Sequence, residues 1–154
     1  METIKSFLIN HDAHPEGVYL SHAEHNIYTY DLRFKKPNAG DFLTTAAAHT
    51  VEHLFATVIR NSAVKDKVVY FGPMGCRTGF YLIMHGDYDS AEILPLVKEM
   101  FEFVAGFEGD IPGASPKECG NYLDQNLPMA KYLAARYLKD VAEHPAPERL
   151  TYPA

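Results

Sequence analysis

The chain has 154 residues, 47% hydrophobic and 22% charged, with 20 acidic against 14 basic side chains and a net charge of −6. That length and balance suit one globular domain with an ordinary core and weigh against intrinsic disorder. No basic block offsets the negative charge, and no apolar run approaches the ~20 residues of a membrane span, so neither nucleic acid nor a membrane is expected as a partner.

The opening stretch "METIKSFLIN" lacks the apolar core of a signal peptide, and a cytoplasmic protein is expected. Residues 26–34, "NIYTYDLRF", alternate: Tyr28, Tyr30, Leu32 and Phe34 share one face, and Thr29, Asp31 and Arg33 the other. Period two predicts a half-buried strand. Residues 43–61 carry a helical period instead. "VVYF" and "GFYLIMHG" read as strands rich in β-branched and aromatic residues, joined by the turn "GPMGCRT". A second helix is predicted from Asp89 or Ser90 to about Val104, because Asp89 and Glu92 have the spacing of a capping box. Pro95 lies too far in for the first helical position and is expected to delay or kink that start. After the loop "GFEGDIPGASPKECGN", the stretch "LPMAKYLAARYLKDVAEH" sets Leu127, Ala130, Leu133, Ala134, Tyr137, Leu138 and Val141 at helical spacing. The tail "HPAPERLTYPA" holds three prolines, and residues 145–154 are predicted to be poorly ordered. Together the elements predict a single α+β domain, an antiparallel sheet covered by helices on one face in a two-layer sandwich.

Chemistry is concentrated on the first helix. Val51, Leu54, Phe55, Val58 and Ile59 form its apolar stripe, while Thr45, His49, Glu52, His53, Ala56 and Arg60 gather on roughly the opposite side. Taken singly, these are ordinary solvated side chains. Together they suggest a metal site, because His49 and His53 stand one turn apart and can reach a common ion without strain. A third ligand must come from elsewhere. Of the two cysteines, Cys119 is the better candidate: thiolate suits a borderline-soft divalent ion, and "SPKECGN" is polar where a buried thiol would want apolar neighbours. Two imidazoles and one thiolate leave a fourth position open, as a reactive metal needs.

The other cysteine, Cys76, sits in a glycine-rich turn beside Arg77, whose charge favours the thiolate. Glu52 has the place of a base acting toward a metal-bound water. An open metal, a reactive sulfur and a carboxylate suit stepwise proton transfer beside a polarised carbonyl.

"HTVEH" at 49–53, "GPMGCRTGFYL" at 72–82 and "PKECGN" at 116–121, in this order, resemble the S-ribosylhomocysteine lyase (LuxS) family. "SFLINH" at 6–11, "YDLRFKKPN" at 30–38 and "IPGASPKECG" at 111–120 extend the likeness over nearly the whole chain. The resemblance implies a homodimer of α+β subunits with two active sites at the interface. Each would hold one divalent metal on His49, His53 and Cys119 with a water in the fourth place, Fe(II) natively and often zinc or Co(II) in preparations. The implied substrate is S-ribosylhomocysteine, and the products are homocysteine and 4,5-dihydroxy-2,3-pentanedione, precursor of the quorum-sensing signal autoinducer-2. Cys76 and Glu52 would shuttle protons while the sugar's carbonyl migrates, and Glu52 would serve in the β-elimination. Ser6, His11, Arg33 and Arg60 would contact substrate. One departure stands out. The family commonly has an aspartate two residues ahead of a Ser-Pro-Met-Gly-Cys turn, where this chain has Tyr70 and Gly72.

Three other readings compete. His-x-x-Glu-His is also an inverted-zincin peptidase signature, although those domains are larger and take a carboxylate as third ligand. Cys76 could join His49, His53 and Cys119 in a closed structural cage. The Tyr70 departure also fits an inactive binding relative.

Overall fold

A computed structural model describes residues 1–143 and 145–154. Two hairpins make its sheet. In the first, β1 (Gly17–Glu24) and β2 (Ile27–Arg33) are joined by His25 and Asn26, both left-handed with φ of 52° and 62°. Such a two-residue turn matches the twist of paired strands. In the second, β3 (Val68–Pro73) pairs with β4 (Gly79–His85). β4 also lies against β2, giving the order β1-β2-β4-β3 with every neighbour antiparallel. Period-two reading missed β1, because a register shift between Leu20 and His22 breaks its alternation.

Three helices cover one face. α1 (Thr45–Ile59) starts at Thr44, whose hydroxyl accepts from the Ala47 amide. α2 (Ser90–Gly106) opens with the expected capping box between Asp89 and Glu92. It begins on time and runs through Pro95. A proline there removes one amide donor, to the Ala91 carbonyl, and the cap holds the turn before it. α3 (Leu127–Tyr137), capped by Asn126, continues as a wider π turn over Leu138–Ala142.

The core lies between the layers. Tyr30 and Leu32 from β2 and Phe80, Leu82 and Met84 from β4 meet Leu54, Phe55 and Ile59 of α1 and Phe101 and Val104 of α2. Phe34 stacks on Tyr137 with centroids 4.1 Å apart, and Phe55 on Phe71 at 3.9 Å, so aromatic rings lock helices to sheet. This is the α+β two-layer architecture that the patterning predicts.

The outer face of β2 differs from the half-buried expectation. Asp31 and Arg33 point away from the helices yet are 0% and 2% exposed. Arg33 clamps Asp31 through Nε to Oδ1 at 3.1 Å and Nη2 to Oδ2 at 2.6 Å. His14 comes within 3.4 Å of the same carboxylate, and Tyr152 donates to it at 2.8 Å while its ring stacks on Tyr19 at 4.8 Å. Burial alone would raise the Asp31 pKa. The His14 hydrogen bond, the Arg33 charge and hydrogen bonds and the Tyr152 hydroxyl outweigh it and hold this carboxyl below its ordinary value. The polar face is buried because its charges are paired, which an alternation pattern does not encode.

Candidate metal centre and active site

His49 and His53 project from α1 with their Nε2 atoms 3.0 Å apart, and Cys119 Sγ lies 3.4 Å from His49 Nε2. Among the described residues these three form the metal-competent cluster, all donor atoms lying within 4.8 Å of one another. Around a tetrahedral ion with bonds of about 2.0 Å to nitrogen and about 2.3 Å to sulfur, donors would stand about 3.3–3.6 Å apart. The spacing fits.

The imidazole tautomers strengthen that fit. His49 Nδ1 is 2.8 Å from the Asp124 carbonyl, and His53 Nδ1 is 2.7 Å from the Pro112 carbonyl. A carbonyl oxygen only accepts, so both Nδ1 atoms carry hydrogen and donate, leaving lone pairs on both Nε2 atoms. Gln125 Nε2 also lies 3.3 Å from His49 Nδ1, too far to compete with the shorter carbonyl contact. Two lone pairs facing each other repel unless a cation lies between them. With sulfur as the third donor, the set could hold a metal ion and would suit a borderline-soft divalent one.

The connection between α2 and α3, residues 107–126, supplies the partners of both imidazoles. It brings Cys119, and the Asn121 amide lies 3.5 Å from that sulfur. It also brings both orienting carbonyls. Gly113 adopts φ +72, and a side chain there would meet His53 Nδ1 at 3.3 Å, so glycine lets the loop close on the ring.

A cleft of about 400 Å³ opens beside the cluster, with His49 and Glu52 of α1 on one side and Pro73, Met74, Gly75 and Arg77 of the β3–β4 turn on the other. Cys76, between the last two, is exposed. The turn is pinned by Met74 N to Gly79 O at 2.9 Å, Arg77 N to Met74 O at 3.0 Å and Leu43 N to Arg77 O at 2.8 Å. These bonds hold Arg77 left-handed at φ 60°, unusual for a residue with a side chain. The Cys76 sulfur is 3.0 Å from the Thr78 hydroxyl, which accepts from Arg33 Nη1 at 2.8 Å.

The remaining candidates are scattered. Arg33 is buried with Asp31 and Thr78; the Thr78 hydroxyl touches both its Nη1 and the Cys76 sulfur, and its charge also interacts with Cys76 through space. Arg60 is exposed at the C-terminal end of α1, about 10 Å along the axis from His53, and donates to the Val69 carbonyl at 3.3 Å. Ser6 and His11 ride on the short 3-10 turns Lys5–Leu8 and His11–Ala13 and do not line the cleft. That segment is tied down elsewhere, through Lys5 to His22 and Asn10 to the Ala154 carbonyl. Sequence reasoning missed the carbonyls of Pro112 and Asp124, which any residue type could supply. It also missed Thr78, for which "CRTG" two residues past the cysteine was the available signal.

Fold and site define the class: an α+β sandwich whose first helix and α2–α3 connection bring together a His/His/Cys donor set, beside a carboxylate and an exposed thiol. The family model described as S-Ribosylhomocysteinase (LuxS) matches residues 4–148. The chain is 54% identical over 158 residues to the S-ribosylhomocysteine lyase of Clostridium beijerinckii, covering 99% of each. It is 49% identical over 158 residues to that of Phocaeicola vulgatus, covering 99% of this chain and 98% of the relative. The lyase of Borreliella burgdorferi is 48% identical over 158 residues, with 99% and 100% covered. The chain belongs to the S-ribosylhomocysteinase (LuxS) family.

Proposed function

We propose that this chain is a carbon–sulfur lyase that cleaves the thioether of S-ribosylhomocysteine to homocysteine and 4,5-dihydroxy-2,3-pentanedione, the autoinducer-2 precursor. The observation that carries the reading is the convergence of His49, His53 and Cys119 beside Glu52 and the Cys76 turn. Relatives named S-ribosylhomocysteine lyase supply the substrate.

The thioether cannot leave until a carbonyl acidifies the neighbouring C–H, so the sugar's carbonyl must first migrate by successive proton shifts. A divalent ion, Fe(II) in this reading with zinc or Co(II) as replacements, supplies Lewis acidity to the sugar's carbonyl and hydroxyl oxygens. His49 and His53 hold it by their Nε2 lone pairs and Cys119 by its sulfur. Cys76 takes and returns protons on one side of the sugar as an acid–base group, forming no covalent bond to it. Glu52 does so on the other and removes the final proton as the thioether bond breaks.

The reading includes a homodimer with its sites at the interface. Ile4, Phe7 and Leu8 are 57%, 73% and 71% exposed, an apolar patch that a second subunit would cover. This segment carries Ser6 and His11, which would contact substrate in the partner's cleft. Arg33, joined to Cys76 by Thr78, and Arg60 complete the substrate set. Among the described residues no helix is long and apolar enough to cross a membrane.

The test is a thiol assay for homocysteine with anaerobically prepared Fe(II) protein. Cys76→Ala and Glu52→Gln are each expected to slow release by about 10²–10⁴-fold. Release from the unaltered protein no faster than from Cys76→Ala would overturn the assignment.

A further inference from the structure

We propose that Thr78 is a positioning residue for Cys76, its hydroxyl carrying the influence of the buried Arg33 to the sulfur. The proposal rests on the acid–base role of Cys76 given above. A guanidinium only donates, so in the 2.8 Å contact with Arg33 Nη1 the Thr78 oxygen is the acceptor. The hydroxyl keeps one proton of its own. Cys76 Sγ lies 3.0 Å away; as a thiol either atom can donate, but a thiolate only accepts, so the charged sulfur accepts the hydrogen bond of the Thr78 hydroxyl.

Neither end of this chain can swing away. Thr78 is 2% exposed, and its carbonyl accepts from the amides of both Phe34 and Lys35 at 2.9 Å, which fastens it to the end of β2. Arg33 has its other nitrogens on Asp31, whose carboxylate is further held by His14 and Tyr152. Among the described residues no buried polar side-chain atom lacks a partner, and the Thr78 hydroxyl is where this network meets the Cys76 sulfur. Cys76 itself is exposed on a turn. Without Thr78 its sulfur has freedom to rotate; with it, the sulfur is held in one direction and stabilised when it bears charge.

Thr78→Val keeps the branched shape and removes the hydroxyl, Thr78→Ala removes it with less bulk, and Thr78→Ser keeps it. Metal-loaded proteins are treated with iodoacetamide at neutral pH, alkylation at Cys76 is followed by peptide mass mapping, and kcat and KM for S-ribosylhomocysteine are measured alongside. Both hydroxyl-less variants are expected to slow Cys76 alkylation and lower kcat about ten- to a hundredfold, with KM changed less than about twofold. Thr78→Ser is expected to restore both rates. Unchanged alkylation in a folded Val or Ala variant, or a Ser variant as impaired as Ala, overturns the proposal. Alkylation does not depend on turnover, so a protein that releases no homocysteine fails the lyase reading while the Thr78 effect is still read.

Discussion

The ring of Tyr70 lies across Gly72, two residues along the same face of β3, and its hydroxyl stands where a side chain on residue 72 would begin. The two departures from the family's usual turn are thus one arrangement. Gly72→Ser forces the half-exposed ring off the strand, a cost of about 1 kcal/mol. In Gly72→Ser combined with Tyr70→Ala that cost should vanish. A double-mutant cycle in urea unfolding is expected to show coupling of about 0.5–1 kcal/mol, and strict additivity would mean that the ring does not need the space.

Asp31 makes stability sensitive to acid. Its folded pKa lies below the ordinary value, so the stabilisation is fully present above that value, near pH 4, and is lost as pH falls through the folded pKa. Asp31→Asn leaves Arg33 buried without its counter-charge, at a cost of about 3–5 kcal/mol at neutral pH. The gap between wild type and variant should shrink in acid. A gap independent of pH would show that the carboxylate's charge is not what stabilises the fold.

Alkali should act in the opposite sense. Burial raises the pKa of Tyr19, Tyr30, Tyr137 and Tyr152, and the charge of Asp31 adds to this for Tyr19, Tyr137 and Tyr152. Their contribution is complete below the free tyrosine value of about 10 and is lost as pH rises through the folded values. Tyrosinate absorbance from these rings is expected to appear together with loss of helical circular dichroism. Full ionisation of all tyrosines in a still-folded protein would contradict the burial.

Metal binding is expected to raise the melting temperature of metal-free protein on addition of one equivalent of Zn(II) or Co(II). At a hundredfold excess over Kd the linkage is worth about 2.7 kcal/mol. Co(II) also reports its ligands: a sulfur-to-cobalt charge-transfer band should disappear in Cys119→Ser and persist in Cys76→Ser. The reverse pattern would put the wrong cysteine on the metal.

Tyr152 joins the end of the chain to the sheet. Tyr152→Phe keeps the stacking on Tyr19 and deletes the hydrogen bond to Asp31, with an expected loss of about 1–2 kcal/mol. An unchanged urea midpoint would show that the ring alone holds the tail.

What could be read in the sequence follows from how local its cause is. The α1 stripe, the Asp89–Glu92 box and the β4 run are set by neighbours within a few residues, and they appeared as expected. β1 did not, because its bulge and its His25–Asn26 turn lack the usual asparagine–glycine signal. His49 and His53 were legible one turn apart, whereas Cys119 needed the chemistry of thiolates and a family likeness. The burial of Asp31 and the contacts of Tyr152 are long-range. Three prolines near Tyr152 suggested little order, and nothing local says that a carboxylate on β2 meets its hydroxyl.

Residues 107–126 have no regular structure, yet they deliver one donor and aim the other two. An ion gripping that stretch and α1 at once would act as a clasp on the fold. By reciprocity, whatever loosens the stretch weakens the grip on the ion, and a protease probing around Gly109 would sense whether the clasp is shut. Substitutions there, remote from any reacting atom, would then masquerade as defects of metal supply.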